Sequence, residues 1–453
     1  MSLNNLPVEW SVQKFEKVVY KIVGGGTPSK SNPEYYQGNI PWMSVKDMNK
    51  NILEDTVDHI TQDAIDNSAT NLIPKGTPII ATRMSLGKVV VAKFDSAINQ
   101  DLKAIFFGKY IDNNFFVYWY RSLAKLIESL GTGTTVKGIR LEVINNFDFP
   151  VVPLVEQQEI VRQLDVMLAQ VEQIKARLDA IPAILKKFRQ SVLADAVSGK
   201  LTEEWRNNQI DIVSWTLGEL REFIEKPIYG TSAKSSKEGA VPVLRMGNLQ
   251  HGEIDWSDLV YTSDATEIKK YDLKLNDLLF NRTNSPELVG KTSIYRGDKD
   301  AIFAGYLIRV RCLSNLDPEF LNYHLNSHIG REYCYRVKTD GVSQSNINAQ
   351  KLIAYPLNCP SIEEQKLIVK LVKEYLGLVN RIEATVQSAQ KRVNLLTQSI
   401  LAKAFSGELT AEWRTQHQDL ITGVNSAEAL LAKIQSEREA SKPVKNTRKK
   451  KEV

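Results

Sequence analysis

The chain is a tandem duplication, and this repeat constrains its fold more strongly than any other feature of the sequence. Residues 198–206, which read Ser-Gly-Lys-Leu-Thr-Glu-Glu-Trp-Arg, match residues 406–414 at an offset of 208. Residues 190–194 match 398–402 at the same offset, whereas 153–158 match 360–365 at an offset of 207. One residue is therefore expected to be gained or lost between these matches. Because this period is far too long for a solenoid, the sequence predicts a duplicated domain with a connector after each copy.

The connector in each repeat carries an apolar heptad pattern, which is typical of a coiled-coil helix. The first seam alternates steps of four and three residues through Ile160, Leu164, Met167, Val171, Ile174, Leu178, Ile181, Leu185, Phe188 and Val192. The second seam is predicted at Leu367, Leu371, Tyr375, Val379, Ile382, Val386, Ala389, Val393, Leu396 and Ile400, with a four-four break around Tyr375. Each seam spans roughly 40 residues, or about 60 Å of helix. Pro182 is expected to kink or loosen the first helix, because proline removes a backbone donor.

The simplest arrangement pairs the two connector helices with each other. Because each helix follows one globular segment, antiparallel pairing would place the two segments at opposite ends, related by an approximate two-fold axis. Parallel packing would also satisfy the heptads, as would pairing of each helix with a helix of a partner protein. We expect the antiparallel pair.

The repeat defines the domain organisation. Two globular segments, residues 1–152 and 207–359, precede connectors at 153–206 and 360–415, and residues 416–453 form a basic C-terminal tail. The predicted fold class is α+β, with two mixed α/β domains in a pseudo-two-fold arrangement, separated by two long antiparallel coiled-coil helices.

Each globular segment is predicted to be a mixed α+β domain of about 150 residues. Strands are predicted at 78–82, 87–92 and 302–310, and helices at 115–130 and 318–337. The two segments also share landmarks. These are Trp10 with Trp215, Gly26–Ser31 with Gly230–Ser235, Ile40–Met43 with Val241–Leu244, Ile79–Arg83 with Leu278–Arg282, and Gly133–Ile139 with Gly341–Ile347. The frame is therefore shared, and the residues within it have diverged.

Composition indicates an ordinary globular protein with a mild positive charge of +5 and 43% hydrophobic residues. Residues Met1–Trp10 lack a basic stretch followed by an apolar run, so we predict a cytoplasmic protein. Six of the twelve residues Lys442–Val453 are Lys or Arg, which favours a polyanionic partner. Cys312, Cys334 and Cys359 lack the spacing of zinc ligands and are expected to be buried thiols.

These features together resemble a known family. Two divergent segments, two nearly repeated heptad helices, the Glu-Gln-Gln opening at 156–158 and the closing pattern at 198–206 make the chain similar, over essentially its full length, to specificity (S) subunits of type I restriction-modification systems. It looks closest to the enterobacterial group, because of residues 398–405 and the basic tail.

The resemblance implies a sequence-specific DNA-binding subunit that is not itself an enzyme. Each variable half would read one part of a split double-stranded DNA target, and the helices would set the gap and dock two methyltransferase (M) subunits. Motor-nuclease (R) subunits would join for cleavage. The chain itself would bind no cofactor or metal, while S-adenosylmethionine would serve the methyltransferase subunits and ATP with Mg the motor-nuclease subunits.

The physics of DNA recognition is compatible with this assignment. Two similar domains on an approximate dyad can meet two major-groove faces about one helical turn apart. Helix length would then set the gap, so we expect about four residues inserted in both 178–185 and its counterpart to lengthen the gap without changing either half-site.

Candidate DNA contacts are concentrated in the landmark loops, where side chains that bond base edges occur with Lys and Arg for phosphates. In the first segment they are Thr27, Ser29, Lys30, Ser31, Lys46, Arg83, Lys88, Thr135 and Lys137. In the second they are Thr231, Lys234, Ser235, Arg245, Asn248, Arg282, Asn284, Lys291, Ser343, Gln344 and Ser345. A solvated surface role is the alternative for each of them. Arg83 and Arg282 have a further alternative, since an arginine at a strand end often braces a carboxylate.

Three motifs superficially suggest catalysis or metal binding. Residues 24–31 are one residue away from a phosphate-binding P-loop, but serine replaces the last glycine and Pro28 removes a donor, so a DNA-facing turn is preferred. Residues 32–35 (Asn-Pro-Glu-Tyr) resemble the Asn-Pro-Pro-Tyr of amino-methyltransferases without its second proline. His324 and His328 have helical spacing but no third ligand, which favours a surface or core role.

Two other functions fit parts of the sequence. The chain could serve a modification-only system, in which methyl transfer proceeds with no nuclease subunit. A coiled-coil adaptor that binds proteins but no DNA would also need the heptads, although landmark loops rich in Lys, Arg, Asn and Ser argue against it.

Overall fold

The computed structural model describes residues 6–49, 51–209 and 215–440. The first domain and its connector alternate short strands with helices. The strands are β1 (Ser11–Lys14), β2 (Lys21–Gly24), β3 (Ile40–Met43), β4 (Ile52–Leu53), β5 (Asp58–Ile60), β6 (Asn71–Ile73), β7 (Pro78–Ala81), β8 (Val89–Ala92), β9 (Ser96–Ile98), β10 (Leu102–Phe106) and β11 (Asp148–Val151). The helices are α1 (Phe15–Val18), α2 (Gln62–Asp66), α3 (Asn113–Ser122), α4 (Ala124–Leu130), α5 (Leu141–Asn145) and the connector α6 (Leu154–Val197).

Two sheets of the first domain pack around an apolar core. Their strand orders are β2-β10-β7-β8-β4 and β5-β3-β9-β6. Met43 and Ile98 of the second sheet are buried with Ile79 and Leu102 of the first. All four residues of β7 are buried, which explains why its sequence, Pro-Ile-Ile-Ala, lacks the alternation of a half-exposed strand. On the other face of that sheet, Ile80 packs in the same core as the aromatic residues of α3.

The second domain repeats this plan. Its strands are β12 (Thr216–Glu219), β13 (Ile228–Tyr229), β14 (Val241–Leu244), β15 (Leu249–Gln250), β16 (Glu253–Ile254), β17 (Val260–Thr262), β18 (Leu278–Asn281), β19 (Thr283–Asn284), β20 (Thr292–Ile294), β21 (Ile302–Phe303), β22 (Leu307–Val310), β23 (Thr339–Asp340), β24 (Ser345–Asn346) and β25 (Pro356–Cys359). The remaining helices are α7 (Glu203–Asn207), α8 (Ala265–Tyr271), α9 (Pro318–Asn326), α10 (His328–Val337), α11 (Ala349–Ile353), the connector α12 (Ile362–Phe405), α13 (Ala411–Gln416), α14 (Gln418–Ile421) and α15 (Ala427–Ala440).

The sheets of the second domain correspond to those of the first. The order β13-β22-β18-β20 matches β2-β10-β7-β8, and β17-β14-β21 matches β5-β3-β9. In both domains the second of these sheets joins one antiparallel and one parallel neighbour to its middle strand. The prediction of two mixed α+β domains built on one frame is confirmed.

The two connector helices have the same length, 44 residues each. Gln157 accepts a hydrogen bond from the backbone of Asp112 at 2.9 Å, and Gln365 accepts the corresponding bond from Asp317 at 2.6 Å. The offset is therefore 208 from the start of the helices to their end, and the predicted gain or loss of one residue is wrong. The error came from aligning two prolines that do not hold equivalent positions. Helix α6 continues through Pro182.

The seam of α12 starts at Ile368 and Val372, and its prediction at Leu367 and Leu371 is wrong. Ile368 and Val372 are fully buried, whereas the two leucines are half-buried. With this correction the steps of four and three run without a break to Ile400. Both seams therefore follow one heptad register at the offset of 208.

The chain divides into two compact units. Unit 1 holds the described residues up to Arg177 and those from Gln390 onward, and unit 2 holds Leu178–Ala389. Helices α6 and α12 each contribute to both units.

Within unit 2 the connector helices run antiparallel, as predicted. The rings of Phe188 and Tyr375 lie 6.2 Å apart, and Arg206, just beyond the end of α6, bonds Glu364 at the start of α12. Residues later in the first repeat therefore contact residues earlier in α12, as antiparallel packing requires. Arg189 adds a bidentate ion pair with Glu383 along this contact, at 2.5 and 2.7 Å.

Three predicted elements are divided in the structure. The predicted strand 302–310 becomes β21 and β22, because Ala304 accepts a turn-closing bond from the backbone of Leu307 at 2.9 Å. The predicted helix 318–337 becomes α9 and α10, where Ser327 caps the second helix by accepting from Gly330. The predicted helix 115–130 becomes α3 and α4, which meet at Leu123.

Helix α15 lies within the segment assigned to the C-terminal tail, and its Ala427, Leu430 and Ile434 are buried in the core of unit 1. The basic run Lys442–Val453 lies outside the described residues. Cys334 is buried, as expected, and burial raises its pKa to about 11. Within the described part of the chain, no helix combines the length and apolarity that crossing a membrane requires.

Candidate nucleic-acid interface

Five loops of the first domain meet at one end of its two sheets. Strands β2, β3, β7 and β9 run toward this end, and β8 and β10 run away from it. The loops cover residues 25–31, 44–47, 82–88, 99–101 and 131–138, and we call this set the first loop end.

Backbone hydrogen bonds hold these loops together. Gly26 donates to the carbonyl of Ile98 at 3.0 Å, and Thr82 donates to that of Asp101 at 2.9 Å. The most distant loop in sequence is attached where Ile139 donates to Thr82 at 2.9 Å. Residues more than 100 positions apart therefore form one continuous surface.

A glycine in each domain allows the first of these loops to cross the sheet. A Cβ atom added at Gly25 would lie 1.9 Å from the Ile98 carbonyl oxygen, and one added at Gly230 would lie 2.3 Å from that of Phe303. Only glycine permits so close an approach of two backbones. These two glycines are the equivalent pair, so the landmark alignment of Gly26 with Gly230 is wrong by one residue.

Most predicted contacts of the first domain are exposed on the loop end. This group is Ser29, Lys30, Ser31, Lys46, Arg83, Lys88, Thr135 and Lys137, whereas Thr27 is half-buried. Three of the nine residues have partners elsewhere in the domain. Thr27 bonds Gln100, Lys46 pairs with Asp58 at 2.8 Å, and Arg83 pairs with Asp101 at 3.1 Å. The Arg83 side chain nevertheless remains 54% exposed, so it can brace the fold and still face a ligand.

The second domain presents an equivalent set of loops, the second loop end. It covers residues 230–235, 245–248, 282–291, 304–306 and 338–346. Thr231 donates to the carbonyl of Phe303 at 2.9 Å, and Ile347 donates to that of Arg282 at 2.8 Å. In this domain the 282–291 and 338–346 loops pair as the short sheet β19-β24-β23. The corresponding loops of the first domain are joined by isolated bridges only.

Eleven predicted contacts lie on the second loop end, and they differ in exposure. Lys234, Ser343 and Gln344 are exposed; Ser235, Arg245, Arg282, Asn284 and Lys291 are partly buried; Thr231, Asn248 and Ser345 are buried.

The three buried residues bond within the domain. The Asn248 side-chain nitrogen donates to the carbonyls of Asp255 and Asp258, both at 2.9 Å, while the Thr231 and Ser345 hydroxyl groups bond carboxylates. Such internal bonds favour a bracing role for these three.

Two partly buried cations of the second loop end also have internal partners. Arg245 pairs with Asp258 at 3.0 Å. Lys291 donates to the side-chain oxygen of Gln250 at 3.3 Å, and burial lowers its pKa. Each is therefore oriented by its neighbours.

Arg282 is held differently from Arg83. Its guanidinium lies 4.8 Å from the centroid of the Tyr229 ring and donates to the carbonyl of Gly305 at 3.4 Å. The strand registers also show that the two arginines do not hold equivalent positions. Ala81 pairs with Leu102 as Asn281 pairs with Leu307, so Arg282 is equivalent to residue 82 and the alignment of Arg83 with Arg282 is wrong by one residue.

The turns between the parallel-paired strand of each domain and the next strand were not among the predicted contacts. Gln100 in the first domain and Tyr306 in the second are exposed on the loop ends, and Tyr306 is 51% exposed. The only sequence signal for these turns was their composition, Asn-Gln-Asp at 99–101 and Ala-Gly-Tyr at 304–306. Because the two turns differ, the internal repeat did not reveal them. Met84 was not among the predicted contacts, because its side chain has no group that hydrogen-bonds a base edge or a phosphate.

A buried carboxylate joins each domain to the connectors. In unit 1, Glu156 accepts hydrogen bonds from Trp10 at 2.9 Å, from Thr410 at 2.7 Å and from Arg414 at 2.7 and 2.9 Å. Its side chain is fully buried. Charge-assisted bonds of this kind are stronger than those between neutral groups. We call these four residues the unit 1 clamp.

The unit 2 clamp repeats the same chemistry. Glu364 accepts from Trp215 at 3.1 Å, from Thr202 at 2.7 Å and from Arg206. The repeated closing pattern of the two connectors is thereby explained, since its threonine and arginine bind the glutamate that opens the other connector.

Half of each heptad seam stays accessible. In unit 1, Met167, Ile174 and Leu396 are 37%, 44% and 41% exposed. In unit 2 the exposed seam residues are Phe188, Tyr375 and Ile382. These two sets, the unit 1 stripe and the unit 2 stripe, are equivalent at the offset of 208. The seam residues between them, such as Val171, are buried.

The motifs that suggested other chemistry have structural partners. Pro28 accepts a hydrogen bond from the Tyr36 hydroxyl at 2.7 Å, and Asn32 caps a short 3₁₀ turn at Pro33–Tyr36. His324 is buried and bonds the Tyr355 hydroxyl at 2.6 Å, and burial lowers its pKa to about 4. In the described ranges no cluster of three or more His, Cys, Asp or Glu side chains could hold a metal ion.

The chain matches a family model described as the type I restriction modification DNA specificity domain, over residues 7–183 and 210–389. It is 37% identical to the type I restriction enzyme EcoKI specificity subunit of Escherichia coli strain K12 over 329 residues, covering 72% of this chain and 71% of that protein. It is also 37% identical to the StySPI specificity subunit of Salmonella potsdam over 349 residues, covering 76% and 75%. The HsdS subunit of Thermoanaerobacter tengcongensis has the same fold, with a TM-score of 0.60 at 17% identity over 89% of this chain and 98% of that one.

Proposed function

This chain belongs to the family of type I restriction-modification specificity subunits, and we propose that each of its two domains reads one half of a bipartite target in double-stranded DNA. The loop ends carry this proposal. Both are built on one frame of strands, and nearly all of their exposed side chains differ between the domains. A shared frame with different loops suits two readers of two different sequences.

Phosphate contacts would come from the exposed cations of the loop ends. Lys30, Lys88 and Lys137 carry charge without a partner among the described residues, so they are free to bind phosphates and fix the register. The exposed amide and hydroxyl groups of Gln344, Ser343 and Ser29 would bond base edges. The buried Asn248 and Ser345 would brace the loops instead.

The stripes are proposed to dock methyltransferase subunits. Each stripe exposes three large apolar side chains on α6 and α12, which is the kind of surface that a further helix covers in a bundle. Because unit 1 and unit 2 each have one stripe, the proposal is two methyltransferase subunits for each copy of this chain.

The chain itself is proposed to be non-catalytic and to bind no cofactor or metal. Methyl transfer would belong to the methyltransferase subunits with S-adenosylmethionine, and cleavage to motor-nuclease subunits with ATP and Mg. A modification-only system would lack the motor-nuclease subunits and use this chain in the same way.

Binding measurements on altered loop ends test the proposal. The chain would be purified with its methyltransferase subunits and titrated with duplexes that carry its mapped methylation motif. Replacing Ser343 and Gln344 by alanine should relax discrimination in one half of the motif and leave the other half unchanged. Replacing Ser29 and Ser31 should do the reverse. Loss of discrimination in both halves from either pair would reject independent reading, and absence of duplex binding would favour a protein adaptor.

A further inference from the structure

Met84 occupies a strained turn in the 82–88 loop of the first loop end. Its φ angle is +63°, and the backbone of Ser85 donates to the carbonyl of Arg83 at 2.7 Å, so these three residues form a γ-turn of the rare positive-φ type. The residue is 60% exposed. A left-handed backbone conformation is uncommon for a residue with a long side chain, and such conformations cluster at binding sites.

Met84 lies among loops of the first loop end that carry predicted DNA contacts. Its backbone donates to the carbonyl of Lys137 at 2.9 Å, which fixes the turn against the most distant loop of the loop end. Arg83 and Lys88 lie within four residues on either side, and both are exposed. The two loops that meet at this turn therefore carry three cationic residues, Arg83, Lys88 and Lys137, which could hold a phosphate backbone against this part of the loop end.

We propose that Met84 is a specificity-determining residue that contacts the 5-methyl group of a thymine in the first half of the target. This inference rests on the proposed function and names one of its base contacts. The thymine methyl is the apolar feature that base pairs display in the major groove. A methionine side chain is flexible and polarizable, which suits it to packing against a methyl group.

The second domain carries a different group at the same place. Asn284 faces Ser345 across β19 and β24 as Met84 faces Lys137, so positions 84 and 284 are equivalent in the frame. The Asn284 side-chain oxygen accepts a hydrogen bond from the backbone of Ser285 at 2.8 Å, and its second lone pair and its amide nitrogen can still bond a base edge, whereas a thioether contacts a methyl group. One structural position thus offers an apolar reader in the first domain and a hydrogen-bonding reader in the second.

Deoxyuridine substitution tests the contact, because it removes only the methyl group of thymine. The mapped target duplex would be prepared with each thymine replaced in turn and titrated with the chain bound to its methyltransferase subunits. For the natural chain we expect about fourfold weaker binding at one thymine of the first half-site, the loss typical of one buried methyl group. With Met84→Ala, binding at that thymine should no longer depend on the methyl group, and thymines of the second half-site should be unaffected.

Two further variants separate contact from folding. Met84→Asn introduces the residue of the second domain, which tolerates positive φ, so the turn should persist while the thymine preference is lost. Tyr20→Ala removes another exposed side chain, at the opposite end of β2, and should change nothing. If Met84→Ala and Met84→Asn keep the full methyl dependence, or if no thymine of the first half-site shows one, the inference is overturned and the proposed function stands. If the natural complex shows no target-specific binding, both are overturned.

Discussion

The Glu156 carboxylate binds the guanidinium of Arg414 at 2.7 Å, although the two residues are 258 positions apart in the sequence. Glu364 binds Arg206 in the same way in unit 2. Each pair attaches the first turn of one connector to the segment that follows the other. The repeat that dominates the sequence is therefore a repeat of this attachment, made once in each unit.

Glu156→Ala should destabilise unit 1 by about 3–5 kcal/mol, because it leaves the buried Arg414 guanidinium without a counter-charge. Denaturant unfolding followed by tryptophan fluorescence measures the change. The control is Glu159→Ala, one turn along the same helix, which removes an ion pair with the exposed Arg162 and should cost less than about 1 kcal/mol. Equal losses from the two variants would contradict the clamp.

The combined variant Lys30→Ala, Lys88→Ala and Lys137→Ala should weaken duplex binding for all sequences alike. Each lost phosphate contact should lower the slope of log affinity against log salt by about 0.9, or about 2.7 for three. Titrations at several salt concentrations give the slope. A matched variant at Lys75, Lys93 and Lys109, which follow the opposite ends of the strands, should keep the natural slope. Equal effects would contradict the loop end as the DNA surface.

The stability of the second domain should fall between pH 6.5 and pH 4. Burial lowers the pKa of His324 to about 4, so the folded domain resists a proton that the unfolded chain binds near its ordinary pKa. Stability from the neutral imidazole is present above pH 6.5 and is lost as the pH falls toward 4, by up to about 3 kcal/mol. Denaturant midpoints across this range report it.

A double variant provides the control for this pH dependence. His324→Phe with Tyr355→Phe removes the titrating group together with its hydrogen-bond partner. The denaturant midpoint of this double variant should vary less with pH than that of the natural chain, because the contribution of His324 is missing. An unchanged pH profile would show that another group carries the effect.

Ile174→Asp should remove one of two methyltransferase subunits from the complex, since it places a charge in the unit 1 stripe. Ile382→Asp should remove the other, and the double variant should bind neither. Native mass spectrometry gives the stoichiometry. Tyr20→Asp, on an exposed apolar site of the first domain, should retain both subunits. Two subunits on the double variant would exclude the stripes as docking surfaces.

Seven residues inserted into both connectors, one heptad each, should lengthen the gap of the target by about three base pairs, because seven helical residues span about 10.5 Å. Both helices need the insertion, since their lengths are equal and the seams run in opposite directions. The two half-sites should keep their bases. Changed bases at an unchanged gap would contradict the helices as the spacer.

Much of the fold follows from the sequence. The heptad seams, the duplicated frame and the mixed domains were all predictable, because apolar periodicity depends on local spacing. The errors arose where local pattern leaves a choice. Leu367 and Ile368 are neighbouring apolar residues, and only tertiary packing decides that Ile368 is buried in the core of unit 2.

The sequence brings the predicted contacts together at one end of each domain, but it does not indicate which of their side chains are exposed. All twenty predicted contacts lie on the loop ends, because the landmarks follow strands that end at the same edge. Their exposure depends on partners distant in sequence. Asn248 has a side chain that could bond a base edge, but its amide nitrogen donates to the carbonyls of Asp255 and Asp258. Met84 has no polar group that would mark it in the sequence as a base contact.

The central claim is that two domains read two separated half-sites, and mapping methylated adenines across the genome tests it most directly. A strain carrying this chain with its methyltransferase would be compared with the same strain lacking the gene for this chain. We predict one methylation motif with two short specified parts and a gap of fixed length, absent without the chain. A single uninterrupted motif, a gap of variable length, or a pattern that does not depend on the chain would contradict the account.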